Sequence, residues 1–276
     1  MAARRAAAAP AFGADPIIVA YGMGVDSTAM LIGLRDRQVR VDLILFADTG
    51  SEKPETMAYL PVIQAWLGRH GFPPVTVLKR RSPRAGDTSL HAECLRKCVL
   101  PSLAYGGHSC SLKWKVDPQW RFTQQQFGWD RRRQSWPHGP FVTKLIGYDA
   151  GPRDSRRRAN AVGKWPPGNR YRYPLAEWGW SREDCGHVIL AEGLPLPVKS
   201  ACWMCPASKR DEVDWLAATH PDLAGAAIEM ERRAHARGLT TTQGLGRRWS
   251  WAEYLGHGDP RHLPATNAIL GQGASR

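Results

Sequence analysis

The stretch PIIVAYGMGVDSTAMLIGLRDRQVRVDLILFADTG, residues 16–50, decides the fold of this 276-residue chain. Residues 16–22 are a short apolar run that ends at a glycine, which predicts a buried strand. Residues 26–37 follow with apolar side chains at helical spacing, and residues 41–47 form a second apolar run. Strand, helix and strand in this order are typical of a parallel sheet with crossover helices.

The segments further along continue this alternation. Residues 54–71 open with proline and glutamate and close with histidine and glycine, which predicts a helix although Pro61 stands inside it. Residues 74–79 predict a third strand, and residues 141–147 predict a further core strand. The pattern therefore indicates an α/β protein with a doubly wound parallel sheet.

Composition and patterning suggest a domain organisation around this sheet. We expect a disordered leader over residues 1–13 and the α/β core over residues 14–180. Within the core, residues 80–140 are rich in charge, Gly, Pro and Trp and contain a few short helical runs, which favours functional loops laid over the strand ends. Residues 181–276 are expected to form a helical C-terminal region. Its first part, residues 181–194, begins with Ser-x-x-Asp, a pattern that resembles a capping box.

The charge of the chain is strongly uneven. The formal net charge is +13, and residues 79–172 hold twenty Lys and Arg against six Asp and Glu. Tryptophan, phenylalanine and tyrosine are interleaved with these basic residues. Such a mixture suits a polyanion with stackable bases, so a nucleic-acid or other anionic substrate is one interpretation. A solvated basic surface is the other.

Nothing in the pattern indicates a membrane or a secretory route. No apolar run approaches the length that a membrane-spanning helix needs, and the alanine run near the start is too short for a signal-peptide core. We therefore expect a cytoplasmic protein without a membrane partner. Without a secretory signal, the six cysteines favour metal binding, redox chemistry or burial over disulfides.

The segment YGMGVDST, residues 21–28, offers glycines and a helix start to a phosphate group. It resembles the pyrophosphate loop of the adenine-nucleotide α-hydrolase (PP-loop) superfamily, usually written SGGxDS. Three positions depart from that pattern: glycine replaces the opening serine, methionine the middle glycine, and valine a common lysine. The resemblance implies an adenine nucleotide, ATP or a relative, at residues Tyr21, Gly22, Met23, Gly24, Asp26 and Ser27.

Three later segments resemble the 3′-phosphoadenosine-5′-phosphosulfate reductase-like branch of the same superfamily. They are FADTGSEKPETMAYL (46–60), SCSLKWKVDPQW (109–120) and IGYDAGPRDSRRR (146–158). The resemblance implies that the first segment forms a second wall of the nucleotide pocket and that the others bring cations and a glycine towards the phosphates. The residues it implies are Asp48, Thr49, Gly50, Lys113 or Lys115, Gly147, and one of Arg153, Arg156 or Arg157, of which we select Arg156.

Four of the cysteines form a possible ligand set. Cys202-x-x-Cys205 has the spacing of a chelating pair, Cys110 lies on the substrate-side segment, and Cys185 lies on the predicted helix upstream of the pair. Four thiolates satisfy a 4Fe-4S cluster, which relatives in this superfamily carry. Zinc held by the same ligands is the alternative, and burial without a metal is the third interpretation.

The missing C-terminal thiol bears on the reaction. Sulfonucleotide reductases of this family use a cysteine near the C-terminus as the nucleophile, and this chain has no cysteine beyond Cys205. The resemblance therefore favours an ATP-pyrophosphatase-type sulfurtransferase that adenylates a nucleotide or nucleic-acid acceptor. Asp26 and Asp48 would serve Mg²⁺, Lys113, Lys115 and Arg156 would oppose developing charge, and a sulfur-donor protein is a possible partner. The alternatives are a phosphoadenosine phosphosulfate reductase that uses an external thiol, and a non-catalytic nucleotide or nucleic-acid binder.

The cluster hypothesis predicts a coloured protein. An anaerobically purified sample should be brown and contain iron, because a 4Fe-4S centre absorbs visible light through its thiolate and sulfide ligands. Elemental analysis together with a visible spectrum checks this expectation. Zinc in the absence of iron would contradict the 4Fe-4S cluster hypothesis.

Overall fold

The structure is a computed structural model that describes residues 15–80, 86–139, 141–161, 163 and 166–261. Five strands form one sheet in the order β3-β2-β1-β4-β5. Central β1 pairs in parallel with both β2 and β4, and β4 pairs in parallel with β5. The strands are β1 (Ile17–Ala20), β2 (Leu43–Asp48), β3 (Val75–Lys79), β4 (Val142–Ile146) and β5 (Asn169–Arg172). The α/β fold class is thus confirmed, and β5 is a strand that the sequence pattern did not predict.

Helices connect the strands and continue beyond them. They are α1 (Val25–Asp36), α2 (Pro54–Arg69), α3 (Leu90–Lys97), α4 (Ser109–Ser111), α5 (Asp117–Phe127), α6 (Pro152–Ala161), α7 (Pro174–Glu177), α8 (Arg182–Ala191), α9 (Arg210–Thr219), α10 (Pro221–Ala236) and α11 (Trp251–Tyr254). The helices predicted at 26–37, 54–71 and 181–194 are confirmed as α1, α2 and α8. Within the described ranges, none of these helices combines the length and the hydropathy of a membrane span.

Local chemistry explains two of these helices. The helix α2 starts with Pro54, whose fixed φ suits the first helical position, and it passes through Pro61 where that proline is exposed to solvent. The helix α8 begins with a reciprocal cap. The Asp184 amide donates to the Ser181 hydroxyl at 3.2 Å, and the Ser181 amide donates to the Asp184 carboxylate at 2.8 Å.

The stretch predicted as loops, residues 80–140, contains more helix in its described part than the few short helical runs that the sequence indicates. It contains α3, a 3₁₀ turn over Ser102–Tyr105, and a run of α4, one π turn (Leu112–Val116) and α5. Each helix is short, so a periodic apolar pattern has little length in which to appear. The ends of α3 are set locally, since the Ser89 hydroxyl caps its start and Cys98 adopts the left-handed conformation at its end.

Both faces of the sheet are covered, as a doubly wound fold requires. Alternate strand residues point to opposite faces, so Val19, Phe46 and Leu145 pack with α1, α2 and α8 on one side. On the other side, Ile18, Leu45 and Val142 belong to a smaller cluster with aromatic residues of α5 and of the segment that follows it. That cluster includes Trp120, Phe122, Phe127, Trp129 and Trp136.

The chain divides into two compact units. Among the described residues, the first comprises 15–48, 53–78 and 117–200, and it contains the five strands except for the last residue of β3, together with α1, α2 and α5–α8. The second comprises 49–52, 79–116 and 201–261 within the described ranges, and it contains α3, α4 and α9–α11. The helix α8 packs on α1 within the first unit. The leader predicted at 1–13 lies outside the described residues.

Lys144 is a buried cation in the middle of β4. Its side chain lies on the face that carries the aromatic cluster, with Nζ 5.4 Å from the centre of a Trp120 ring. Among the described residues no carboxylate pairs with it, and burial lowers its pKa from 10.5 to about 8. The folded chain therefore releases this proton at a lower pH than the unfolded chain does.

The sign of this shift gives a stability prediction. Between about pH 8 and pH 10.5 the unfolded chain binds more protons at Lys144, so this residue makes the free energy of unfolding rise with pH in that window. The replacement Lys144→Met should remove this contribution and stabilise the protein near neutral pH by up to about 3 kcal/mol. Urea unfolding at several pH values measures it. Lys79→Met, at an exposed lysine of β3, is the control and should leave the wild-type dependence in place.

Candidate nucleotide and thiol sites

The first candidate site is the turn between β1 and α1, here named the glycine loop (residues 22–27). In the strand order, β2 and β3 lie on one side of β1 while β4 and β5 lie on the other, so β1 is the topological switch point of the sheet. In open α/β sheets, ligands bind beyond the strand ends at this point. Met23 has φ 54°, in the left-handed region, while its side chain is fully buried in the core. The loop therefore keeps a conformation that glycine adopts readily, although methionine stands there.

The Ser27 hydroxyl holds the glycine loop in shape. It accepts from the Gly22 amide at 3.2 Å and from the Gly24 amide at 3.3 Å, and it donates to the Gly24 carbonyl at 3.0 Å. Gly147, directly after β4, backs onto the same turn, because a Cβ there would lie 3.0 Å from the Ser27 backbone. The loop and Gly147, both expected in the site, are thus neighbours.

Ser200 is a neighbour of the glycine loop that the sequence analysis missed. A Cβ on Gly24 would lie 2.7 Å from the Ser200 Oγ, and a Cβ on Gly22 would lie 3.6 Å from it. Glycine at residue 24 therefore makes room for a hydroxyl from a distant part of the first unit. No local pattern around Ser200 signals this contact.

Three carboxylates meet beside the glycine loop. Ligand oxygens of Asp26, Asp149 and Asp154 all lie within 4.8 Å of one another. Asp26 pairs with Arg182 through Oδ2 at 2.7 Å, while its Oδ1 is buried without a hydrogen-bond partner. Burial raises the pKa of Asp26, against the opposing effect of Arg182. Of this set the sequence analysis named Asp26 and missed Asp149, Asp154 and Arg182.

The arginines of α6 differ in what they contact. Arg156, the residue proposed from sequence, is exposed. Arg157 pairs with Asp154 at 2.9 Å, and Arg158 donates to the Asp149 carbonyl at 2.6 Å. Arg157 therefore contacts a carboxylate of the cluster, and Arg158 contacts the backbone of another member.

Two other expected site residues lie in the interior of the first unit. Tyr21 is buried, its hydroxyl lies 3.0 Å from the Thr28 hydroxyl, and burial raises its pKa far above the ordinary range of a phenol. Asp48 ends β2 and is also buried. Tyr21 therefore supports the glycine loop from behind.

The second candidate site lies in the second unit, around Cys202. The Thr49 hydroxyl donates to Glu52 Oε1 at 3.0 Å and lies 3.2 Å from the Cys202 Sγ. Glu52 and Cys202 also form an isolated antiparallel β-bridge. Lys115 Nζ lies 3.1 Å from Glu52 Oε1, and Glu52 Oε2 is buried without a hydrogen-bond partner.

The charges around Cys202 are linked. Burial acts to lower the pKa of Lys115, but Glu52 and then Cys202 outweigh it and raise that pKa. Lys115 therefore stays a cation, next to a thiol whose own pKa is raised to about 12, chiefly by burial. A metal binds the deprotonated thiol, and the resulting thiolate would lie beside this ammonium group.

Lys113, the other lysine proposed from the family resemblance, has a different partner. It pairs with buried Glu93, which also accepts from the Trp114 indole N–H at 2.8 Å and from Lys97. Burial acts to raise the pKa of Glu93, but the bonds from Lys113, Lys97 and Trp114 outweigh it and lower it to about 2. The two lysines thus contact two separate glutamates of the second unit.

Five of the six cysteines fall into two groups. Cys185 is buried in the core of the first unit, and burial raises its pKa to about 12. The other three predicted ligands belong to the second unit, where a thiol cluster (Cys94, Cys110, Cys202 and Cys205) packs in one apolar core with Trp114 and Trp203. In the part of the chain that the structure describes, the only three or more potential ligand atoms within 4.8 Å are the aspartates. The side-chain positions therefore do not bring four thiols to one point, and Cys94 shares the core of the other three more closely than Cys185 does.

Gly50 illustrates why the Asp-Thr-Gly segment is built as it is. It has φ 66°, and a Cβ there would lie 2.7 Å from both the Ser89 Cβ and the Thr88 carbonyl oxygen. The Leu90 amide also donates to the Thr49 carbonyl at 2.9 Å. This close approach fixes Thr49 next to Glu52 and Cys202.

Comparison with known proteins adds little to this geometry. No protein-family model and no curated protein matches the chain. Among solved structures it is similar to "U34-tRNA thiolase NcsA from Methanococcus maripaludis with its 4Fe-4S cluster", at 12% identity and a TM-score of 0.42, over 87% of this chain and 80% of that chain. A likeness at this TM-score assigns no site residue, cofactor or substrate to this chain.

The crowding at Gly50 gives a stability prediction. Gly50→Ala should lower the free energy of unfolding by about 3 kcal/mol, because it combines the cost of a left-handed residue with overlap against backbone and Cβ atoms. Gly106→Ala is the matched control in the same unit, since Gly106 has φ 82° and open space around it. That variant should cost about 1 kcal/mol, the conformational part alone. Equal losses in urea unfolding of the two variants would contradict the proposed crowding.

Proposed function

We propose that this chain is an enzyme of the ATP-pyrophosphatase type that adenylates an acceptor for sulfur transfer. The observation that carries the proposal is the glycine loop with the three aspartates beside it. It combines the start of helix α1, where backbone N–H groups face a ligand, with a set of oxygen ligands in one place. Such a place suits a nucleotide phosphate together with a divalent cation.

The loop backbone is the proposed phosphate contact. The α1 helix is twelve residues long, and its first amides point away from the helix without intrahelical partners. At Gly24, the space that a Cβ would need is taken by the Ser200 hydroxyl, which lies beside the loop backbone. The Ser27 hydroxyl is hydrogen-bonded within the loop itself, and the Ser200 hydroxyl lies next to Gly24.

The aspartate cluster fits Mg²⁺. Mg²⁺ prefers hard oxygen ligands, and Asp26 offers a buried oxygen that has no protein partner. Asp26, Asp149 and Asp154 would hold the ion, with Arg182 balancing their charge. When bound, the ion would neutralise charge on the phosphates.

The proposed reaction is an adenylyl transfer. An oxygen of the acceptor attacks the α-phosphorus of ATP, the bond from that phosphorus to the bridging oxygen breaks, and pyrophosphate leaves with the electron pair. A sulfur nucleophile from a donor then attacks the activated carbon, and AMP leaves with the acceptor oxygen. The cations at Arg157 and Arg158 are close to the cluster and can oppose the charge that develops on the leaving groups.

A nucleic acid is the proposed acceptor. Six arginines of the first unit are exposed on the segment after α5 and on α6: Arg131, Arg132, Arg133, Arg153, Arg156 and Arg157. Exposed guanidinium groups attract a phosphate backbone without reading its sequence. Their support is for the class of acceptor and not for a particular base.

The thiols are the proposed site of a metal centre. Cys202 and Cys205 are joined by a turn in which the Cys205 amide donates to the Cys202 carbonyl at 3.0 Å, and Cys110 packs in the same core. These three would hold a 4Fe-4S cluster, with Cys94 favoured as the fourth ligand over Cys185, and zinc is the alternative. The centre would hold sulfur for transfer. Lys115 would offset the negative charge of its thiolates.

The carboxylate cluster provides the decisive test. Asp26→Asn should reduce formation of AMP and pyrophosphate from ATP by at least about a hundredfold, because it removes charge at the cation site. Asp36→Asn is the matched control, at the exposed end of the same helix, and should retain wild-type rates. Both products are measured with purified protein and a mixture of transfer RNAs as acceptor.

Other outcomes would assign the chain to another class. Sulfite release from phosphoadenosine phosphosulfate in the presence of a thiol donor would identify a reductase. Nucleotide binding without turnover of either substrate would identify a binding protein. Unchanged turnover in the Asp26 variant would contradict the assignment of the glycine loop as the nucleotide site.

A further inference from the structure

A cavity in the second unit is lined by none of the residues of the glycine loop or of the thiol cluster. Its volume is about 410 Å³, and it is lined by the end of α10, the loop that follows it and Arg261. Its described lining contains three arginines, three threonines and a histidine, and no carboxylate. The lining residues are His235, Leu239, Thr240, Thr241, Thr242, Gln243, Arg247, Arg248 and Arg261.

The guanidinium groups of this cavity are incompletely paired. Arg261 forms an ion pair with Asp259. Arg247 uses its Nε to donate to the Leu103 carbonyl at 2.8 Å and has no carboxylate partner among the described residues. For Arg248, the structure describes neither a hydrogen bond nor an ion pair of the side chain. Two arginines that line one cavity without a counter-ion provide donors for an anion.

The loop that carries these arginines is fixed by a buried carboxylate. Glu231 is fully buried and accepts from the backbone amides of Leu245 at 2.7 Å, Trp251 at 2.9 Å and Ala252 at 2.9 Å. The Thr242 hydroxyl donates to the Arg247 carbonyl at 2.7 Å. The arginines thus stand on a scaffold that is ordered before any ligand arrives, which reduces the cost of binding.

His235 adds an unsatisfied group. Its Nε2 lies 2.9 Å from the Gln243 carbonyl oxygen, and since a carbonyl oxygen only accepts, Nε2 carries a proton. Its Nδ1 is buried and has no hydrogen-bond partner.

We propose that this cavity is a phosphate-binding site, with Arg247, Arg248 and Arg261 as the cationic donors and the Thr240 and Thr241 hydroxyls as neutral donors. Planar guanidinium groups match phosphate oxygens in pairs, and the volume accommodates a phosphate or a diphosphate group. The same chemistry is offered by a free phosphate and by a phosphodiester of a nucleic acid. The site goes beyond the proposed adenylation, since it uses no residue of the glycine loop or of the thiol cluster.

Calorimetric titration of the full chain tests this site. Pyrophosphate and a short single-stranded oligonucleotide without a terminal phosphate are titrated separately at constant ionic strength. Arg248→Gln should weaken binding of at least one of them by about tenfold or more, which corresponds to about 1.4 kcal/mol. Arg237→Gln is the matched control, because Arg237 is exposed at the end of α10 and outside the cavity lining. It should change affinity by less than about twofold.

The outcomes separate the sources and the alternatives. Loss for pyrophosphate alone assigns a free phosphate, and loss for the oligonucleotide assigns the backbone of a nucleic acid. Equal losses in the Arg237 and Arg248 variants, or no loss in either, overturn the site. Thr241→Val, which removes a hydroxyl but keeps the shape of the side chain, should also weaken binding and guards against misfolding of the arginine variant. Binding that persists in Asp26→Asn but disappears in Arg248→Gln distinguishes this site from the glycine loop.

Discussion

The position of the glycine loop depends on the close approach of Gly147 to the first turn of α1. The parallel register pairs Ala20 with Ile146, so β1 and β4 end at the same level of the sheet. Gly147 follows β4 directly, and a Cβ there would lie 3.0 Å from backbone atoms of Ser27. A larger residue would require the two chain segments to move apart. The carboxylates of Asp149 and Asp154, which follow β4, lie beside that of Asp26.

Buried glutamates organise the second unit in a comparable way. Glu52 accepts a hydrogen bond from Thr49 and pairs with Lys115. Glu93 pairs with two lysines and accepts from an indole N–H. Glu231 accepts hydrogen bonds from three backbone amides. A buried carboxylate is stable only when such donors surround it, so each glutamate fixes the positions of its neighbours. The loop at Cys202 and the loop at Arg247 are therefore both held by buried carboxylates and not by extensive secondary structure.

The sequence predicted the strands and helices whose apolar pattern is long or whose ends carry clear signals. It found β1 to β4, α1, α2 and α8, and it identified the glycine loop and Gly147 through a family resemblance. It missed Asp149, Asp154, Arg182 and Ser200, because each has an ordinary local setting and contacts the loop only in the folded chain. The sequence predicted only a few short helical runs within loops for the helices between 86 and 127, because a helix of one to three turns has too few apolar positions to show a period.

The amino-acid sequence by itself determined the α/β class, the order of the main elements, the excess of basic residues and the presence of a Cys-x-x-Cys pair. These follow from composition and from contacts between near neighbours along the chain. Only the tertiary structure decided which carboxylates meet at Asp26, which lysine lies beside Cys202, and that Cys185 belongs to a different core from the other predicted thiols. The physical reason is that such groupings depend on the packing of elements far apart in sequence. The sequence around a charged residue or a cysteine does not indicate which residue will be its partner in the folded chain.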